Sequence, residues 1–286
     1  MPARTTPLIV AHRGSSEYVA EHTFAAYEKA LVDGADVLEC DVRLTADAHL
    51  VCVHDRRIDR VSDGRGVVST KTLAQLNDRD FGSWKDDWSD FEAPPEVDAS
   101  RQRVLTLERL LELVTHADRS VGLLIETKHP TRYGGLVEER VAEMLRRFGL
   151  VPEHNSALMG TDEWSGVLAP DRHPRRPWVH VMSFGQIAMR RMRQLAPTVP
   201  TVFLMERVPL RFRDGSLPYK TEISGPSIEV VRAHPHYVER VHAAGSRVFV
   251  WTVDDMDDVD LCLDLGVDAL ITNRPEVVRS HVNRHK

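Results

Sequence analysis

The chain has 286 residues, 42% hydrophobic and 28% charged, enough apolar material for one large core and enough charge to keep it soluble, which excludes global disorder. Its 37 basic residues are outnumbered by 43 acidic ones, a formal charge of −6, so a nucleic-acid-coating surface is excluded and any anionic ligand must meet locally placed cations. Cys40, Cys52 and Cys262 are odd in number and lack CxxC spacing, which argues against a disulfide framework or a zinc knuckle and fits a reducing cytosol.

At the N-terminus the apolar run Leu8-Ile9-Val10-Ala11 is too short for a signal-peptide core or a membrane span, so a cytoplasmic protein without stable membrane insertion is expected. Short β-rich runs then alternate with helix-period segments along nearly the whole chain. Strands are predicted near 8–12, 36–42, 121–128, 178–183, 200–205, 223–228, 247–252 and 267–272, with helices over 23–33, 106–117, 135–148, 185–195, 234–244 and 255–264. Eight βα units in this length predict one α/β domain over residues 1–286, a TIM (β/α)8 barrel. Gly34, Gly149, Gly245 and Gly266 each follow a helical pattern and precede a strand, where helix C-caps belong. Two stretches exceed a minimal barrel. Residues at about 55–104, with Trp84, Trp88 and Pro94-Pro95, predict a small insertion subdomain after the second strand, entered through a hairpin strand over 49–54, and 151–177 reads as a long connection before the fourth barrel strand.

The chemistry-bearing residues His12-Arg13-Gly14, Glu39-Cys40-Asp41, His54-Asp55, Glu126-Thr127-Lys128 and Trp251-Thr252 all fall at the C-terminal ends of predicted strands, the end at which barrels hold their sites. Residues two apart on a strand share a face, so Glu39 and Asp41 point together while Cys40 points away, and Glu126 pairs with Lys128. Taken singly, each is as well explained as a solvated strand end or a hydrogen-bonding histidine. Three convergent carboxylates in one pocket instead call for a compensating cation, and oxygen ligands accommodate Mg2+, Ca2+ and Mn2+. Phe184 and Trp251 add two aromatics at the mouth, suited to a glycerol or cationic head group as well as to plain packing. Arg207, Arg211 and Arg213 read as a solvated loop.

In order and spacing these residues resemble the glycerophosphodiester phosphodiesterase family across essentially the whole chain. The likeness rests on Ala11-His12-Arg13-Gly14, Glu21-x-Thr23, Glu39-x-Asp41-Val42, Val53-His54-Asp55, Thr72-Leu73-x-x-Leu76, Leu105-Thr106-Leu107-Glu108, Glu126-x-Lys128, Ser183-Phe184, Trp251-Thr252-Val253 and Ile271-Thr272-Asn273-Arg274-Pro275. It implies that Glu39, Asp41 and Glu126 hold one divalent cation, that His12 and His54 serve as acid and base, and that Arg13 and Lys128 face the phosphate. It further implies hydrolysis of a small-molecule glycerophosphodiester to glycerol-3-phosphate and an alcohol, with the glycerol 2-hydroxyl as first nucleophile and a cyclic phosphate opened by water. Either histidine can start as base. Two positions depart from the family pattern: Ala20-Glu21-His22-Thr23 stands where Pro-Glu-Asn-Thr is typical, and Asn273 where Asp is common. Glu21 is placed to supplement the metal ligands, Thr23 to cap the next helix, and His22 either to support the site or to decorate the surface.

Two other readings share this inventory. A sphingomyelinase D-like lipid phosphodiesterase has the same two-histidine, three-carboxylate barrel, but the long segment 55–104 and the polar loops weigh against it. A non-catalytic barrel that binds phosphorylated ligands is expected to have lost one or more of these polar groups, and all of them are present. Nothing in the sequence specifies the head group or an oligomer.

Overall fold

The computed structural model describes residues 6–85, 102–151 and 177–285. Eight parallel strands form the barrel: β1 (Leu8–Ala11), β2 (Val37–Leu44), β4 (Gly122–Thr127), β5 (Trp178–Ser183), β6 (Thr201–Met205), β7 (Ile223–Pro226), β8 (Arg247–Val250) and β9 (Ala269–Thr272). Neighbours pair in chain order, and β1 closes the ring by pairing with both β2 and β9. The short β3 (Leu50–Cys52) lies antiparallel on the far end of β2, with Val42 opposite Cys52, and is the expected hairpin strand.

Alternation within each strand sorts the core. Val10, Val37, Leu124, Met182, Val202 and Ile271 meet inside the barrel, whereas Ala11, Leu38, Cys40, Leu123 and Ile125 turn outward beneath the helices. The helices are α1 (Phe24–Val32), α2 (Leu73–Asn77), α3 (Leu107–Thr115), α4 (Leu136–Arg147), α5 (Gln186–Leu195), α6 (Ile228–Ala233), α7 (His236–Ala243), α8 (Met256–Leu265) and α9 (Pro275–Arg284). In α3 the buried residues Leu107, Leu110, Leu111 and Val114 recur at i, i+3, i+4 and i+7, the stripe that seats a helix on a sheet. Thr23, Thr72 and Thr106 each accept the backbone N–H three residues on, capping α1, α2 and α3. The predicted C-cap glycines Gly34, Gly149, Gly245 and Gly266 all adopt positive φ, between 67° and 81°.

The segment after β3 has an apolar cluster of its own, in which Ile58, Val61, Val68, Leu76 and Phe81 pack on Val51, Val53 and Val104. This cluster lies within the segment read from the sequence as an insertion after the second strand. Trp88 and Pro94-Pro95 lie outside the described residues, as does the predicted connection over 151–177 except for its two end residues. The insert delivers His54 and Arg60 toward the mouth of the barrel. Among the described residues, no helix is long and apolar enough to cross a membrane.

Candidate active site

The register β2–β4 sets Asp41 opposite Glu126 and Glu39 opposite Leu124, so strand parity puts all three carboxylates inside the barrel. Each offers an oxygen within 4.8 Å of the others, and all three residues are buried. Glu39 Oε2 accepts the backbone N–H of Arg13 at 2.9 Å, whereas its Oε1 is buried without a hydrogen-bond partner. Lys128 Nζ lies 2.8 Å from Glu126 Oε1 and 3.2 Å from Asp41 Oδ1, and Arg13 Nε lies 3.1 Å from Asp41 Oδ2.

These neighbours divide the three carboxyls. Burial, reinforced by the charge of Asp41, pushes Glu39 well up, and the same two causes push Glu126 up to about 8 against the pull of Lys128. Asp41 is equally buried, yet the His22 hydrogen bond, Lys128 and Arg13 outweigh burial and hold it well below the usual carboxylate range. Burial would pull Lys128 down and Arg13 down, but the surrounding carboxylates raise both. Two of three carboxyls thus resist ionisation with the side-chain cations alone, and one ligand oxygen is unpartnered. The donor set, all hard oxygen, fits a divalent cation.

His12 follows β1. Its Nδ1 lies 2.7 Å from Asn273 Oδ1, whose amide Nδ2 donates to Asp254 Oδ2 at 2.6 Å, so the amide cannot flip and His12 Nδ1 must carry the proton. The Nε2 lone pair is left for chemistry. Burial and the adjacent Arg13 lower His12 to about 4, which leaves the ring neutral at pH 7. His54 Nδ1 lies 2.8 Å from Asp55 Oδ1, which likewise leaves Nε2 unengaged, and burial lowers this ring too, against the charge of Asp41 and the Asp55 hydrogen bond. Gly14 completes the turn after His12 at φ +87°, and a Cβ there would come within 2.7 Å of the Ala26 backbone, which accounts for glycine in His12-Arg13-Gly14.

Other residues take places that the sequence left open. Glu21 is not among the convergent carboxylates: Arg13 Nη1 donates to it at 3.0 Å, and Arg60 grips it through Nη1 and Nη2 at 2.7 and 2.8 Å while reaching Asp55 Oδ2 with Nε at 2.7 Å. Although burial opposes it, the Arg60 hydrogen bonds hold Glu21 down at about 2. His22 is no surface decoration. At 5% exposure it bridges Asp41 Oδ2, 2.9 Å from Nε2, and the Tyr27 hydroxyl, 2.8 Å from Nδ1, while that hydroxyl donates to Glu39 O. Arg43, two residues beyond Asp41 on the same face, donates through Nε and Nη2 to His54 O, and with Arg56, Arg132 and Lys128 it lines a cavity of about 270 Å³. Phe184 and Trp251 meet edge to face with centroids 5.4 Å apart, the Trp251 indole held by Gly225 O. Arg207, Arg211 and Arg213 are exposed, as expected of a solvated loop.

Known proteins share this arrangement of chain. Residues 12–277 match the profile of the Glycerophosphoryl diester phosphodiesterase family. The chain is 42% identical over 269 residues to probable glycerophosphodiester phosphodiesterase 1 of Mycobacterium tuberculosis, covering 94% of this chain and 90% of that protein. It is 30% identical over 272 residues to the glycerophosphodiester phosphodiesterase of Bacillus subtilis, covering 94% and 84%. Among solved structures, an Oleispira antarctica phosphodiesterase in complex with the product sn-glycerol-3-phosphate superposes with a TM-score of 0.75 at 22% identity, covering 97% of each chain, which is a likeness of fold.

Proposed function

The chain belongs to the glycerophosphoryl diester phosphodiesterase family and is a phosphoric diester hydrolase, and we propose that it cleaves small glycerophosphodiesters by acid–base catalysis between His12 and His54 beside a divalent cation. The observation that carries this reading is the convergence of Glu39, Asp41 and Glu126 within 4.8 Å beneath two imidazoles whose Nδ1 atoms are both tied back. Bound by these carboxylates, a Mg2+ or Ca2+ ion supplies neutralisation of the phosphoryl oxygens' charge. Arg13 and Lys128 add two fixed positive charges at the same place.

The partners of the two histidines divide their roles. His12 is braced by a neutral amide and crowded by Arg13, so it is the base; burial lowers His54 as well, but the Asp55 carboxylate behind it opposes that pull, so of the two rings His54 is the acid. His12 Nε2 takes the proton of the glycerol 2-hydroxyl, that oxygen attacks phosphorus, and the bond to the alcohol breaks as His54 protonates the leaving oxygen. In the second half His54 removes a proton from water, the new oxygen bonds to phosphorus, and His12 returns its proton to the glycerol oxygen. The sum consumes one water and yields glycerol-3-phosphate and an alcohol. Phe184 and Trp251 flank the head group, and the reaction needs no nucleophilic serine or cysteine.

Turnover of glycerophosphocholine with Mg2+ or Ca2+ present tests the reading. Glycerol-3-phosphate and choline are the expected products, with loss of activity on chelation. Inorganic phosphate as main product, full activity after exhaustive chelation, or a preference for micellar sphingomyelin would each overturn it.

A further inference from the structure

A second set of convergent metal-ligand side chains lies on the outer layer, between α8 and α9. The helices of a barrel run back from the mouth, so the C-terminal end of α9 sits toward the face opposite the active site. His281 near the end of that helix and His285 at its C-cap, four residues apart, stack with ring centroids 4.5 Å apart and planes 28° from parallel. Asp260 faces them from α8: its Oδ1 lies 2.7 Å from His281 Nε2 and 3.6 Å from His285 Nε2.

Asp260 Oδ1 is within hydrogen-bond distance of His281 Nε2, whereas His285 Nε2 stands 3.6 Å from the same oxygen, beyond that distance. His285 Nδ1 lies 3.0 Å from His281 O, and a carbonyl only accepts, so Nδ1 carries the proton. In the neutral ring Nε2 therefore turns a lone pair toward a carboxylate oxygen that is itself an acceptor. A cation between them resolves this contact. A backbone carbonyl holding the distal ring nitrogen of a ligating histidine is also the arrangement that fixes a ligand's tautomer. One atom from each residue lies within 4.8 Å of the others, close enough for a single ion to draw all three together. Asp260 and His285 are about half exposed, so solvent can complete the coordination.

We infer that Asp260, His281 and His285 bind one imidazole-preferring divalent ion of the zinc class, clamping α8 to α9. Two nitrogens and one oxygen distinguish this set from the all-oxygen cluster at the mouth, which suits Mg2+ or Ca2+. The ion is a structural staple, remote from the phosphodiester chemistry, since it ties the last helix to its neighbour rather than facing the barrel interior.

Equilibrium dialysis of the metal-stripped full-length protein against Zn2+, with Mg2+ in large excess to hold the mouth carboxylates, reads the site directly. Wild type should bind one Zn2+ that is lost in His281→Asn, His285→Asn and Asp260→Asn, with Mg2+-dependent activity kept within about twofold. Zn2+ at a hundredfold excess over its Kd should raise wild-type Tm by about 5 °C and leave the variants unmoved. Co2+ in place of Zn2+ should give a visible absorption band that His285→Asn abolishes; His285 is half exposed, so this variant also reports on binding if His281→Asn folds poorly. Undiminished zinc binding in folded His285→Asn and Asp260→Asn, or no zinc bound by wild type under Mg2+, would overturn the assignment.

Discussion

The pair Asn273 and Asp254 offers the sharpest test of how His12 is oriented. Asn273 Nδ2 donates to Asp254 Oδ2 at 2.6 Å, while Asp254 Oδ1 accepts both the Asn273 N–H and the Thr272 hydroxyl at 2.8 Å. Asn273→Asp would replace the donor with a second carboxylate at the same short distance. The lost charge-assisted hydrogen bond is worth about 1.5–3 kcal/mol, and like-charge repulsion adds to it, so the single variant should lose about 3 kcal/mol and misdirect the His12 ring. Asp254→Asn alone should cost less, because an amide can still accept through its oxygen. Together the two changes exchange the roles, with an amide at position 254 donating to a carboxylate at position 273, and should recover most of the loss. Urea unfolding of all four proteins gives the coupling energy, expected at about 2 kcal/mol in favour of the double variant, whereas kcat/KM on glycerophosphocholine should stay below wild type because position 273 then presents a carboxylate to His12. Strictly additive losses, or an Asn273→Asp protein as stable and active as wild type, would refute the bracing of His12 through this pair.

Other outcomes follow from the same geometry. His180 lies inside the barrel at 1% exposure with both ring nitrogens unpartnered, and burial, then the charge of Arg247, lowers it to about 3. Because the unfolded ring takes up a proton near pH 6.5 and the folded one does not, its contribution is present above that pH and is lost as pH falls from 6.5 toward 3, about 2 kcal/mol by pH 5. His180→Leu should be stabilised at pH 7 by about 1 kcal/mol and should flatten this acid limb in guanidinium titrations; parallel losses in both proteins would remove His180 as the cause. Glu126→Gln, which keeps the shape but weakens a ligand oxygen, should cut activity by about 10²-fold and raise the Mg2+ concentration needed for half-maximal rate, and an unchanged Mg2+ requirement would remove Glu126 from the ligand set. His12→Ala and His54→Ala should each lose about 10²–10⁴-fold on an alkyl diester, with a nitrophenyl leaving group partly rescuing His54→Ala but not His12→Ala; rescue of the opposite variant would reverse the assignment of base and acid.

Strand parity makes most of the site legible in the sequence. Glu39, Asp41 and Glu126 converge because a two-residue period on adjacent parallel strands leaves no other face for them, and the same period places Cys40 outside. Caps are equally readable, since Thr23 and the four C-cap glycines act within a few residues of themselves. What escapes are contacts made only when the ring closes. His12 meets Asn273 across 261 residues because β1 pairs with β9, and Glu21 meets Arg60 because the insert folds back over the mouth. No local period encodes either approach. His22 is ambiguous for a different reason: one histidine after a polar turn looks alike on a surface and in a core, and only the coincidence of Tyr27 and Asp41 on either side of the ring decides it.

The two departures from the family pattern both change what stands behind the residues of the candidate site. His22, where Asn is typical, sets an imidazole against Asp41, the one carboxylate of the three held firmly ionised. Asn273, where Asp is common, removes an anion from beneath His12, and the neighbouring Asp254 supplies the acceptor that fixes the amide. Asn273 makes the surroundings of His12 less negative, and His22 gives Asp41 Oδ2 a hydrogen-bond partner. In the proposed mechanism a neutral brace under one histidine and a carboxylate under the other separate two chemically identical rings into base and acid, which diester cleavage requires at a single pH. The asymmetry is therefore built into the residues behind the imidazoles, so exchanging those supports should disturb the division of labour before it disturbs the chemistry each ring can perform.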